Sequence, residues 1–116
     1  MIDRAKKLPA RFYVTPVGRI PVREWLLGLS EEDRRTVGKD MQKVEFGWPL
    51  GMPLCRSLGN GLWEVRSDLS GGTIGRVLFF VGAGRMVLLH GFIKKTQKTP
   101  QRDVDLALKR KREVAS

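Results

Sequence analysis

At 116 residues the chain has room for one domain with a modest core, and none of its apolar runs approaches the roughly 20 residues that span a bilayer. Its one cysteine, Cys55, excludes an internal disulfide and a cysteine-rich metal site. Twenty-two Lys and Arg against twelve Asp and Glu leave a net charge of +10 and a pI near 10.5, which favours a polyanionic partner, nucleic acid being the commonest; a merely basic surface or a patch for an acidic protein would carry the same charge.

Residues 1–10 are basic and aperiodic and read as a flexible arm. The charged start, with no apolar stretch behind it, does not read as a signal peptide, so a reducing cytoplasm is the expected compartment. Arg11 to Thr15 (RFYVT) has the aromatic and β-branched content of a strand, stopped by Pro16 and Gly18. Pro21 can open a helix, and Val22, Trp25, Leu26 and Leu29 form one apolar stripe at i, i+3, i+4 and i+7. Ser30 to Asp33 (SEED) resembles a capping box for a second helix, which Val37, Met41 and Val44 continue until Gly47 and Pro49. Two amphipathic helices with almost no linker make a hairpin to be packed on a sheet.

Residues 47–61 are rich in Gly and Pro and read as a loop with room for a short strand at 54–58. Residues 62–68 (LWEVRSD) alternate, with Trp63 and Val65 on one side and Glu64 and Arg66 on the other. Turns at Ser70–Gly72 and Gly82–Arg85 separate this strand from Arg76–Val81 and Met86–Ile93, giving a three-strand antiparallel meander over 62–93. Thr99 can cap a last helix with Pro100 at its first position. Asp103 and Asp105 then lie near its positive end, and Lys109 to Arg112 near its negative end. The expected fold is α+β, in the order β-α-α-β-β-β with a C-terminal helix, as a single domain over 1–116.

Register brings candidate site residues together. A turn centred near residue 71 sets Arg66 opposite Arg76, and one centred near 83 or 84 sets Arg76 opposite His90 or Gly91. Opposed cations destabilise a sheet unless a counter-charge arrives, and a phosphate would be one. Lys94, Lys95 and Lys98 follow at the rim of the same strand.

The chemistry this set suits is RNA cleavage by the RNA's own 2′-hydroxyl. Arg clamps phosphate oxygens, Lys and Arg stabilise the developing charge, and His moves a proton near neutrality. Such a reaction needs no metal or cofactor, and the sequence offers no metal cluster. Each residue also has a plainer reading. His90 fits a satisfied structural histidine. Arg66 and Arg76 could pair with Glu64 or Asp68, and Lys109–Arg112 reads equally as a solvated helix end or a site for an acidic protein. Trp25 and Trp63 read as core, whereas Trp48 in its Gly/Pro loop could stack on a base.

The strings GLWEVRSDL, GRVLFF and VLLHGFIKKTQKTP, with the helix start QRDVDLAL, resemble the phage-derived branch of the HigB/RelE toxins of type II toxin–antitoxin systems. The resemblance covers 10–112 in element order and is closest over 61–108. It implies the RelE-like fold and a ribosome-dependent endoribonuclease that cuts mRNA in the A site. It also implies a cognate antitoxin, often a helix-turn-helix protein through which the pair reaches operator DNA, and no membrane partner.

By motif match, Arg66, Arg76, His90, Lys94 and Lys95 carry over as catalytic. Lys98 and the helix residues Arg102, Lys109 and Arg110 are expected to hold RNA backbone. The strand-end segment lacks the tyrosine some relatives use, and the only tyrosine, Tyr13, lies on the first strand, so the general base stays open. Two other readings remain: a ParE-like inhibitor of DNA gyrase on the same fold, and a non-catalytic nucleic-acid-binding module.

Overall fold

Alternating segments build one five-stranded sheet in the computed structural model of the chain, which describes residues 5–95 and 97–115. The elements are β1 (Ala10–Phe12), α1 (Pro21–Leu27), α2 (Glu31–Gly47), β2 (Cys55–Gly59), β3 (Leu62–Asp68), β4 (Ile74–Gly82), β5 (Arg85–Lys94) and α3 (Gln101–Ala115). The sheet runs β1-β5-β4-β3-β2. The expected α+β class and the β3–β4–β5 meander are both present. The short strand offered at 54–58 is present as β2, which adds a strand to the stated order and turns into β3 through Gly59, Asn60 and Gly61, all at positive φ.

The sheet is also mixed. The helical hairpin carries the chain over one face to the far edge, and the meander walks back until β5 meets β1, which lies parallel to it. The expected first strand is shorter and begins one residue earlier, at Ala10.

Alternation sends the two halves of each strand to different cores. Val65, Val77, Phe79, Met86 and Leu88 face the hairpin, where Val22 and Leu26 of α1 and Val37, Met41 and Val44 of α2 meet them. Trp25 lies flat on the strand at Gly91, where a Cβ would come within 2.5 Å of its ring. That contact explains a glycine in the middle of β5. On the opposite face Leu62, Leu78, Phe80 and Leu89 pack with Tyr13 and with Ala107, Val104 and Leu108 of α3. The Cys55 thiol is buried, and burial pushes its pKa up to about 11. Trp48 packs edge-on against Trp63 at 4.9 Å and against Phe79, so its ring serves the core.

The start of α2 closes only half of the expected capping box. The Asp33 N–H donates to Ser30 Oγ, but the Asp33 carboxylate turns to the β3–β4 turn and accepts from the Ser70 N–H (3.0 Å) and hydroxyl (2.8 Å). Those bonds, the backbone one first, hold the Asp33 carboxyl below the usual aspartate range. Of the expected flexible arm, residues 1–4 lie outside the described residues. Leu8 is buried with its N–H on the Glu45 carbonyl, and the Glu45 carboxylate takes the Ala10 N–H and the Lys6 ammonium.

Tyr13 is buried just past β1. Its hydroxyl donates to the Glu113 carboxylate near the end of α3, and the Arg110 guanidinium lies over its ring. Tyr13 therefore fastens the far end of the helix, about three turns from the helix start.

Candidate phosphate site on the sheet

Three strands deliver arginines to one face at one end of the sheet. The β3–β4 pairing sets Arg66 opposite Arg76, as the turn at residue 71 requires. The β2–β3 pairing sets Arg56 opposite Glu64, and period-two alternation places all four side chains on the α3 side. Adjacent cations at this density need a counter-charge, and Glu64 supplies it from a fully buried position. Its two oxygens lie 3.8 Å from Arg76 Nη1 and 3.8 Å from Arg66 Nε. The Thr99 hydroxyl donates to Glu64 Oε2 and accepts from Arg76 Nη1 at 3.2 Å.

Thr99 thus bonds these two side chains, while the Pro100 carbonyl accepts the first N–H groups of α3. Burial, only partly opposed by Glu64 and reinforced by the charges of Arg66 and Arg56, pulls Arg76 below the ordinary arginine value.

Gln97 closes the front of this group. Its backbone carbonyl accepts from Arg76 Nη1 at 3.2 Å and from Arg56 Nη1 at 3.5 Å, and its Oε1 accepts from Arg66 Nη2 at 2.8 Å. Two oxygens of one residue therefore sit among three guanidiniums. Arg66 opens onto a cleft of about 450 Å³ lined also by Asp40, Lys43, Leu54, Asp68, Ile74 and Gln97.

The other expected residues divide. His90 is not opposite Arg76: an irregularity between Leu78 and Phe79 moves the register, so Arg76 faces Phe92 and His90 faces Leu78. His90 Nε2 lies 2.7 Å from Asp103 Oδ1, and its ring stacks on Phe92. It ties β5 to the first turn of α3, which is the structural role the sequence left open. Lys94 ends β5, half-buried, and Lys95 is exposed just beyond it. Lys98, Arg102 and Lys109 are exposed as well. Arg110 is half-buried and donates to the Leu89 carbonyl at 2.8 Å. That bond and its place over Tyr13 make it part of the α3 packing.

Sequence reasoning missed Arg56 and Gln97 and weighed Glu64 only as a surface ion-pair partner. The mirror rule that paired Arg66 with Arg76 would have found Arg56, since a turn centred on Asn60 puts residue 56 opposite 64. Gln97 carries no periodic signal. Among the described residues no three His, Cys, Asp or Glu side chains gather as a metal site, and no helix is long and apolar enough to cross a membrane.

A family model for phage-derived Gp49-like proteins (DUF891) matches residues 24–112, which includes every residue of the arginine group. No curated protein matches the chain.

Proposed function

We propose, from the premise that this chain belongs to the phage-derived Gp49-like protein family, that it is a ribosome-dependent endoribonuclease cutting mRNA through the 2′-hydroxyl. The family is one of RelE/HigB-like toxins of toxin–antitoxin systems, and membership implies a cognate antitoxin. The observation that supports the chemistry is the convergence of Arg56, Arg66 and Arg76 on the two oxygens of Gln97. Nonbridging oxygens of a phosphodiester fit the same donors and bring the negative charge that the carboxamide lacks.

In the proposed reaction the scissile phosphate replaces Gln97 before the arginines. The 2′-oxygen bonds to phosphorus, the bond to the 5′-oxygen breaks, and the proton lost by the 2′-hydroxyl is balanced by one gained at the leaving oxygen. The products are a 2′,3′-cyclic phosphate and a 5′-hydroxyl. Arg66 and Arg76 hold the phosphate and stabilise charge as it builds. Glu64 keeps the two guanidiniums side by side. Lys94, opposite Ile74 at the end of β5, and Lys95 just beyond it add charge or assist proton transfer. The contact with Asp103 favours a positioning role for His90, which sets β5 and α3 around the site. Lys98, Arg102 and Lys109 offer phosphate contacts for RNA backbone. Arg110 is occupied in packing and is dropped from that set.

The test is a translation reaction with purified ribosomes and defined mRNA, with 5′ ends mapped. Wild-type protein is expected to cut within translated codons and Arg66→Ala to lose at least ~100-fold in rate. Equal cleavage of naked RNA, or cutting by the variant at the wild-type rate, would sink the proposal.

A further inference from the structure

The cleft onto which Arg66 opens carries charges that a phosphate alone does not call for. Lys43 and Arg66 line it, but so do Asp40 and Asp68, so two cations meet two carboxylates in a chain whose net charge is +10. Carboxylates beside a phosphate site weaken its hold on a polyanion, and therefore suit a different contact. Asp68 is exposed at the end of β3, two residues from Arg66 and on the same face, yet Arg66 turns to Glu64 and Gln97 instead. Asp40, on α2, reaches the ammonium of Lys43 at 3.4 Å, and that lysine is 66% exposed. A surface pair of this kind exchanges readily for a ligand's donors and acceptors. Leu54 and Ile74 add apolar wall to the same cleft, whose volume is about 450 Å³.

We propose that this cleft binds the base of a guanosine phosphate whose phosphate group lies at Arg66. The cleft is of a size that holds a small ligand, and its lining balances to zero charge, which suits a neutral, polar, planar ring. Aliphatic side chains can hold the ring faces, while polar groups read its edge. Guanine presents adjacent N1–H and N2–H donors, which two carboxylates can accept, and an O6 acceptor for the Lys43 ammonium. Adenine and cytosine bring one amino group beside an acceptor nitrogen, so they satisfy one carboxylate and not two. Uracil flanks its single donor with two oxygens, which would face the carboxylates. The same chemistry recognises a free nucleotide and a guanosine within RNA. The base contacts stand on the cleft itself; the place of the phosphate rests on the arginine site of the nuclease reading.

The experiment titrates the intact protein with the 3′-monophosphates of guanosine, adenosine, cytidine and uridine, following heat and the methyl resonances of Leu54 and Ile74. A second arm uses a short non-cleavable 2′-deoxy oligonucleotide with one guanine, and its inosine counterpart, which lacks the N2 amino group. Guanosine phosphate is expected to bind about tenfold tighter than uridine phosphate and to shift both methyl sets. Asp40→Asn/Asp68→Asn should abolish that preference and leave phosphate-driven affinity intact, whereas Arg66→Ala should weaken all the nucleotides alike. The Asn replacements keep side-chain shape, and an unchanged melting temperature confirms the fold. A guanine preference confined to the oligonucleotide identifies an RNA residue as the ligand, and an equal one for the mononucleotide identifies a free nucleotide. Equal affinity for all the bases in both arms, a preference that survives the double substitution, or still methyl resonances would overturn the proposal. No ribosome enters these titrations. A protein that prefers guanosine phosphate here but never cuts mRNA would overturn the nuclease reading alone, and one that cuts mRNA without this preference would overturn the present inference alone.

Discussion

The two faces of the sheet use the same strands in opposite ways. On the hairpin face the inward residues of β3, β4 and β5 are apolar apart from the buried Ser67 near the end of β3, and two helices cover them. On the other face α3 covers an apolar half, while the remaining half carries Arg56, Glu64, Arg66 and Arg76 beneath Gln97. One residue of register separates the two environments. Neighbouring cations can be held so closely only because the face behind them is rigid and a buried carboxylate lies among them.

Substitutions aimed at each face should separate stability from activity. The largest stability effect is expected from Phe79→Ala on the hairpin face, where the ring is fully buried. Urea unfolding should show a loss of about 3–5 kcal/mol, a large part of a typical domain stability. Arg76→Ala should cost nearly as much, about 3–5 kcal/mol, because it strips a buried charge from Glu64. Arg66→Ala is therefore the cleaner probe of activity: its side chain is 13% exposed at the cleft mouth, and it should spare the fold while removing cleavage.

Removing the oxygen that occupies Arg66 should act in the other direction. Gln97→Ala is expected to tighten binding of a non-cleavable 2′-deoxy oligonucleotide several-fold by fluorescence anisotropy, since the phosphate no longer displaces a 2.8 Å hydrogen bond.

The tie between α2 and the β3–β4 turn sets a pH effect of its own. The Asp33 carboxyl is held below the usual range in the folded state, so its contribution to stability is complete above the ordinary aspartate range. The contribution is lost as pH falls through that range towards the lower folded-state value. Asp33→Asn should lower stability at neutral pH and flatten the acid limb of a thermal-melt series. An acid limb identical to wild type would contradict that tie.

The smallest effect belongs to the β4–β5 turn, where Ala83 sits at φ 53°. Ala83→Gly should stabilise by about 1 kcal/mol, because glycine enters the left-handed region without a Cβ clash.

The legible and illegible parts of the molecule follow from the range of the forces involved. Arg66 opposite Arg76 could be read from a turn centre and a period of two, because an antiparallel pair is a mirror about its turn. The same rule missed His90 by two residues, since the irregularity at Leu78 and Phe79 leaves no mark on a wholly apolar run. The hairpin helices announced themselves by period. The short strand offered at 54–58 is present as β2, one residue later, despite the glycines and prolines around it.

Glu64 read as a solvated residue because its neighbours alternate correctly. Its burial comes from Thr99, 35 residues later, and the return of a distant segment is invisible to local pattern. Arg110 belonged to a basic run that composition offers to RNA, and only the tertiary position of Tyr13 and Leu89 shows that it is occupied. The parallel placement of β1 likewise depends on where the chain re-enters the sheet.

The most direct measurement follows the arginine side chains themselves. Nitrogen-15 spectra of the guanidinium Nε–H groups would be recorded during titration with a non-cleavable 2′-deoxy oligonucleotide. The resonances of Arg56, Arg66 and Arg76 are expected to move together and saturate at one affinity, with the Gln97 side-chain amide shifting at the same point. Arginines of this group that stay still while Arg102 and others on the exposed surface respond would show that phosphate binds elsewhere, and would contradict the site described here.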